Sequence, residues 1–461
     1  MKGVRLFWLG LDAAWTAWRG PGAIEGRQRV RLEALVHHAR SASPYFRRLY
    51  RELPSRVTDV TLLPPTHKPD LMDHFDEWLT DPDVTLSTLR RDFLGDPLLV
   101  GARYLGRYHV VTTSGTTGEP AVIVHDFDSW AVQNLVGRRY EPRILGTPRM
   151  AGAVLRRGVR AAVLAATGGH FAGPALVGAA RRTWPVVAPR LRLVSVLRPL
   201  HEIVEELNDF RPTMLLGYPS VVRLLAAEQR TGHLRVEPFV AILAGEDLPP
   251  EARTEIEEAF GCRVLERYAA SEALGIAASC WLGALHVNSD WYLVEPVDED
   301  HRPVAAGTFS HTVLVTNLAN RVQPVIRYDL GDRVEVDPSP CPCGLPFPVI
   351  RVRGRETDVL SFEGVDGAAV QIPPLALVTV IEETPGVSRC QAIRTGPRNL
   401  TVRLATERGA PVERVWGAVD RNLGTFFAAQ GLAHVAVRHA TEGPRLDERT
   451  GKFRQVCSGA E

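Results

Sequence analysis

The groups best suited to hold an anion lie in one run, Val110-Val111-Thr112-Thr113-Ser114-Gly115-Thr116-Thr117-Gly118-Glu119-Pro120. The β-branched stretch from Val110 to Thr113 reads as a buried strand that stops in a loop dense in hydroxyls and glycines. Backbone N–H groups in such a loop can turn inward as an anion nest. Gly115 and Gly118 supply the positive φ and the close approach that a nest requires. Ser114, Thr116 and Thr117 add hydroxyl donors, and Thr113 stands at the loop entrance. Pro120 and the apolar run Ala121 to Val124 predict a second strand, so the loop reads as a hairpin tip. An ordinary Ser/Thr/Gly turn fits the same residues. The Lys-Ser/Thr ending of a Walker loop and the spacing of a dinucleotide fingerprint are absent.

Three further places carry chemistry. In Tyr268-Ala269-Ala270-Ser271-Glu272, after a predicted strand, Glu272 is a carboxylate able to hold Mg²⁺. Ser271 beside it can reach a phosphate or a substrate carboxylate. The competing reading is a helix start with an acid in its first turn. In Tyr328-Asp329-Leu330-Gly331-Asp332, a carboxylate after a glycine turn suits a ribose diol, and a plain Asp-Gly hairpin turn also fits. The cysteines form the third place. Cys341-Pro342-Cys343-Gly344 puts two thiols in a tight turn, and Cys280 and His286 precede it in the same region. Cys₃His is a structural zinc set, whereas free buried thiols are the alternative. No Ser/His/Asp order or metallohydrolase motif appears.

The elements that must position these groups follow a pattern. Residues 1 to about 100 read as mostly helical, with Val30, Leu32, Leu35 and Val36 at helical spacing between Arg27 and Arg40. Apolar runs at Arg160–Ala166, Leu191–Val196, Met214–Tyr218, Phe239–Glu246 and Arg263–Tyr268 alternate with helical segments. That alternation predicts a mostly parallel α/β sheet, whose ligands bind at strand carboxyl ends, where Gly245-Glu246 and the Tyr268 run lie. From Trp281 to Arg353 short segments with Gly, Pro and Asp turns predict a β-rich subdomain. About 105 residues follow, enough for a small α+β domain, with the boundary at Gly354-Arg355.

At 461 residues and 45% apolar content the chain can bury a sizeable core. The formal charge of +1 gives no reason to expect nucleic acid or an acidic membrane surface as partner. The apolar N-terminal run is too short to span a bilayer. Six cysteines are sparse for a secreted scaffold, which points to a cytoplasmic protein. Of 54 basic residues only Lys2, Lys68 and Lys452 are lysine, so a lysine retained in Thr450-Gly451-Lys452 suggests a task for a compact point charge.

The Thr-Ser-Gly-Thr-Thr-Gly-Glu-Pro run resembles the ATP-phosphate loop of the adenylate-forming (ANL) superfamily, which includes acyl-CoA synthetases and NRPS adenylation domains. Tyr-x-x-Ser-Glu at 268–272, Arg-Tyr-Asp-Leu-Gly-Asp at 327–332 and Gly-Lys at 451–452 are similar to later motifs of that superfamily, in its order. The likeness is greatest to the phenylacetate-CoA ligase/CapK-like branch, whose lead-in resembles Ser43-Pro44-Tyr45-Phe46 and the segment up to Lys68. The resemblance implies a large N-terminal domain (1–354) of α/β sheets plus a β-rich subdomain, and a small mobile C-terminal α+β lid domain (355–461). It implies ATP, Mg²⁺ and coenzyme A as cofactors, with Glu272 on Mg²⁺, Asp332 and Arg355 on the ribose, and Gly245-Glu246 on adenine. Lys452 is the implied catalyst of adenylation. The Gly-Arg-x-Asp-Asp hinge pattern is replaced here by Gly354-Arg355-Glu356-Thr357-Asp358. Some members of the branch hold structural Zn²⁺ on a Cys/His set like Cys280, His286, Cys341 and Cys343. The implied acyl pocket offers Trp130, His170, Phe171 and Tyr218, which suit an aryl or arylacetic acid. CoA is the implied acceptor, with an amine or a carrier-protein thiol as the alternative, and the protein is expected as a monomer or homodimer. A non-catalytic nucleotide-binding protein of the same fold is the remaining alternative.

Overall fold

The computed structural model describes residues 2–113, 121–146, 148–353, 359–365, 367–407, 409–445 and 455–459. Ser114, Gly115, Thr116, Thr117 and Gly118 of the expected phosphate loop, Arg355 and Lys452 lie outside the described residues.

Two helices lead the chain, α1 (Lys2–Arg19) and α2 (Pro21–Ala42). Pro21, with its fixed φ and no N–H to satisfy, starts α2 earlier than the Arg27 expected from periodicity. Leu32, Leu35, Val36 and Ala39 form its buried stripe. A small sheet follows, β1 (Arg103–Tyr104), β2 (Tyr108–Thr112) and β3 (Val122–His125). β2 and β3 pair antiparallel from His109↔His125 to Thr112↔Val122. Beyond the ladder the Thr113 N–H donates to the Ala121 carbonyl at 2.9 Å. The expected hairpin therefore stands up to both edges of its tip.

Among the described residues the central sheet has nine strands. β4 (Ala161–Ala165), β5 (Leu191–Ser195), β6 (Met214–Gly217), β7 (Val240–Ala244) and β8 (Arg263–Ala270) are parallel, in the order β5-β4-β6-β7-β8, with a helix in each connection. The Val/Ala/Leu-rich sequences of β4 and β7 suit strands inside the sheet, and β5, with Arg192 exposed, forms its edge. β9 (Ala273–Ser279) and β10 (Leu285–Val287) continue the sheet antiparallel. β11 (Tyr292–Val297), β12 (Thr312–Asn317) and β13 (Val325–Asp329) form a separate meander. β14 (Arg333–Val336) and β15 (Val349–Arg353) then return to the large sheet through β15–β10 pairing. The β-rich region is thus half continuous with the α/β half, and the sheet is parallel only from β5 to β8.

Towards the C-terminus come a hairpin of β16 (Leu360–Glu363) and β17 (Ala369–Ile372), then β18 (Val387–Gly396), β19 (Asn399–Thr406), β20 (Ala436–His439) and β21 (Val456–Ser458). The last four form one sheet in the order β20-β19-β18-β21. Helices Pro374–Glu382 and Val412–Ala429 bury Leu377, Ile381, Val419 and Leu423 in an apolar cluster that also contains Leu164, Leu215 and Leu243 of the parallel strands. The Gln430 Nε2 donates to the Leu197 carbonyl at 2.9 Å across the same junction.

One of the two readings of the Tyr268 run is excluded. Ser271-Glu272 does not start a helix. β8 runs to Ala270, which pairs with Ala273, so the two residues form a tight turn into β9. Antiparallel pairing satisfies the backbone groups here, and small alanines on both sides let the strands close.

Candidate active site

At the carboxyl ends of β7 and β8 lies a cavity of about 430 Å³. It brings together Thr113, Gly245, Glu246, Tyr268, Ser271, Glu272 and Asp332, which the sequence predicts for one site. Pro374, Leu375, Val378 and Gln455 close it from the C-terminal side.

The turn geometry explains how the acids face inward. Glu272 is almost fully buried. Burial pushes its carboxyl above the usual range, while a hydrogen bond from the Tyr328 hydroxyl and the Lys68 charge favour the ionised form. A carboxyl in that state is set to gain from a divalent cation. Asp332 accepts the Tyr268 hydroxyl at 2.8 Å. Asp329, three residues earlier, serves the turn itself, accepting the Gly331 N–H at 3.0 Å where Gly331 takes a φ of +73°. Both aspartates line the cavity, and the second is the one that meets the Tyr268 hydroxyl.

The Ser271 turn is tied to the mouth of the expected phosphate loop. The Ser271 hydroxyl donates to the Thr112 carbonyl at 3.3 Å, and the Ser271 carbonyl accepts from His125 Nε2 at 2.9 Å. Burial lowers His125 to about 4, so it is a neutral, orienting imidazole with Nδ1 beside the Ser129 hydroxyl at 3.1 Å. Glu246 is engaged differently. It accepts the Ser220 N–H and hydroxyl, both at 2.9 Å, at the start of helix Pro219–Thr231. Gly245, at φ +87°, meets the Tyr218 ring so closely that a Cβ would lie 3.1 Å from it.

Tyr218, Trp130, His170 and Phe171 do not line this cavity. Trp130 stacks on His109 with centroids 4.2 Å apart, and His170 is buried against Phe93 at 4.9 Å. Phe171 bridges to Thr112. Trp130 thus packs on β2 and β3, His170 and Phe171 lie at the Thr112 end of β2, and Tyr218 lies against Gly245.

Among the lining residues that escape sequence reasoning are Lys68 and Tyr328, which act on Glu272. The Thr66 N–H donates to the Arg327 carbonyl at 2.9 Å, and the Asp329 N–H donates to the Thr66 carbonyl at 3.0 Å. That pairing sets the Lys68–Asp73 helix beside β13 and its lysine at the cavity. The rarity of lysine was the available signal.

On the antiparallel half of the sheet, Cys280, His286, Cys341 and Cys343 converge, their ligand atoms all within 4.8 Å of one another. The His286 Nδ1 donates to the Phe347 carbonyl at 2.8 Å, leaving Nε2 3.3 Å from Cys343 Sγ. The Leu282 and Leu345 N–H groups each donate to a cysteine sulfur at 3.4 Å. Three sulfurs and one oriented imidazole fit tetrahedral zinc.

Residues 108–308 match the AMP-binding enzyme family. Over 144 residues the chain is 27% identical to Protein CapK of Staphylococcus aureus, a stretch that spans 29% of each protein. The fold is similar to an open conformation of 2-hydroxyisobutyryl-CoA ligase in complex with 2-HIB-AMP and CoA, with TM-score 0.53 and 21% identity over 94% of this chain and 90% of that one. The same ligase in its thioesterification state gives TM-score 0.53 and 21% identity over 95% and 90%. With the motifs in order and the carboxylates gathered at the strand ends, residues 108–308 match the AMP-binding enzyme family, and the fold of the chain is similar to that of an acyl-CoA ligase.

Proposed function

We propose that the protein activates a carboxylic acid with Mg·ATP to an acyl-adenylate and then transfers the acyl group to coenzyme A. The observation that carries this reading is the pair of inward carboxylates in one cavity, Glu272 under Tyr328 and Lys68, and Asp332 on Tyr268. In the first step a carboxylate oxygen of the acid attacks the α-phosphorus and the bond to the β-phosphate breaks, releasing pyrophosphate. Asp332 holds the ribose diol, Gly245 gives the adenine a flat approach, and Glu272 holds Mg²⁺, which neutralises phosphate charge. Lys68, beside Glu272, contacts the triphosphate. Ser114 to Gly118 cradle it, Arg355 contacts the ribose and Lys452 stabilises charge developing at the α-phosphate. In the second step the thiol attacks the acyl carbon and AMP leaves.

Residues 1–354 act as the ATP- and acid-binding domain and residues 355–461 as a lid that turns between the two steps. Cavity lining by Pro374, Leu375, Val378 and Gln455 supports a site completed by that lid. The Tyr218 ring, packed against the lining residue Gly245, supports an aryl or arylacetic acid. Zinc on Cys280, His286, Cys341 and Cys343 staples the turn between β14 and β15 to β10 and the end of β9.

The test is acid-dependent pyrophosphate release from Mg·ATP across aryl, arylacetic, hydroxy and fatty acids, for wild type and Glu272→Gln. One acid class triggering release, with Glu272→Gln losing at least about tenfold, is the expected result. CoA, amines and a phosphopantetheine carrier offered singly then identify the acceptor. ATP binding with no release for any acid would leave a nucleotide-binding protein instead.

A further inference from the structure

Helix α1 is apolar on two opposite faces. Leu9, Ala13 and Ala17 face the body of the protein, where Leu9 and Ala17 join its buried clusters. The other face carries Val4, Phe7, Trp8, Leu11, Trp15 and Trp18, all exposed, Phe7 and Trp8 at 63% and Trp18 at 78%. At 3.6 residues per turn these six fall on an arc of about 100°. A contiguous aromatic stripe of this kind on a soluble surface marks a contact that is made with something else.

The charges say what covers it. No Asp or Glu occurs on the outer arc. The single acid of α1, Asp12, is paired with Arg31 and, at 2.7 Å, with Arg27. Cations border the stripe instead, with the Arg19 and Arg27 guanidinium groups each 5.3 Å from the Trp15 ring centre. A second copy of this chain would bring a like-charged border against it and supply no acid from the same arc. An anionic lipid surface supplies both counter-charge and an apolar layer for the rings. Tryptophan and phenylalanine flanked by arginine are the side chains that settle at such an interface. α1 packs along the body on α2, so its stripe lies flat, and among the described residues no helix is long and apolar enough to cross a bilayer.

We propose that the outer face of α1 docks the protein peripherally on an anionic membrane surface. This goes beyond the adenylation reading and does not depend on it.

The experiment is co-sedimentation of the full chain with vesicles of phosphatidylglycerol and phosphatidylethanolamine, and with phosphatidylcholine alone. Binding to the anionic vesicles, weakened by salt, is expected. The Phe7→Ser plus Trp8→Ser variant lowers the partition coefficient by about tenfold or more, and Trp18→Ser by several-fold, with melting temperatures unchanged. Trp18→Ser, at the most exposed ring, keeps the test valid if the double variant unfolds. Absence of vesicle binding overturns the proposal, as does equal binding by wild type and both variants. A concentration-dependent dimer that the variants abolish, without vesicle binding, overturns it in favour of a second copy.

Discussion

Glu272 and Lys68 show how little of a site one residue decides. Glu272 is a buried carboxyl whose ionised form depends on a hydroxyl from β13 and an ammonium from the N-terminal region. In a chain with only three lysines, a lysine at this place supplies a compact charge that a planar guanidinium does not reproduce. Lys68→Ala is expected to lower kcat/KM for acid-dependent pyrophosphate release by on the order of 10²-fold, with Lys68→Arg recovering only part. Steady-state rates at saturating and limiting ATP check this, and a change under twofold removes Lys68 from the triphosphate. Cys343 is the matching case at the metal cluster. Cys343→Ser should lose about one zinc per chain by elemental analysis and lower the melting temperature by roughly 5 °C or more. Zinc-free wild type of unchanged stability would count against the site.

At the scale of elements, the turn at Ser271-Glu272 and the end of helix Pro374–Glu382 carry the next arguments. Glu383 closes that helix against Gly168 and Gly169, where a Cβ on Gly169 would sit 3.2 Å from its carboxylate. Burial alone pushes the Glu383 carboxyl up to about 7. The folded state thus prefers the protonated form. Its contribution is fully present below the ordinary value of 4.5 and is lost as pH rises through about 7. Glu383→Gln is therefore expected to match wild type in thermal melts near pH 4.5 and to be the more stable protein at about pH 8. Melting curves that differ by a constant amount across that range contradict the argument. β4 to β8 and the helices between them were legible because each is a local run with one period, strand or helix. The turn into β9 was not, because a short Ala-Ala-Ser-Glu stretch fits a helix start equally well until β9 pairs beside it.

For the whole molecule, the cavity is bounded by residues as distant in sequence as Lys68 and Gln455. In the proposed reaction, closure of the site by the C-terminal part is what separates the two chemical steps. Lys452→Ala is expected to abolish adenylate formation from acid and ATP, by about 10²-fold or more, while leaving transfer from a supplied acyl-adenylate to CoA within a few-fold of wild type. Loss of both steps together would mean that the lysine supports the fold and not one reaction. The order of the Thr-Ser-Gly loop, the Tyr-x-x-Ser-Glu turn, the Tyr-Asp-Leu-Gly-Asp turn and the Gly-Lys end was written in the chain, as was the alternation that builds the parallel strands. Those features depend on neighbouring residues and so need no partner to be read. Only the tertiary structure decided that Lys68 and Tyr328 join Glu272, that Cys280 and His286 meet Cys341 and Cys343, and that the tryptophans of α1 face outward. Each of these rests on long-range pairing and burial, which bring together groups that local sequence keeps tens to hundreds of residues apart.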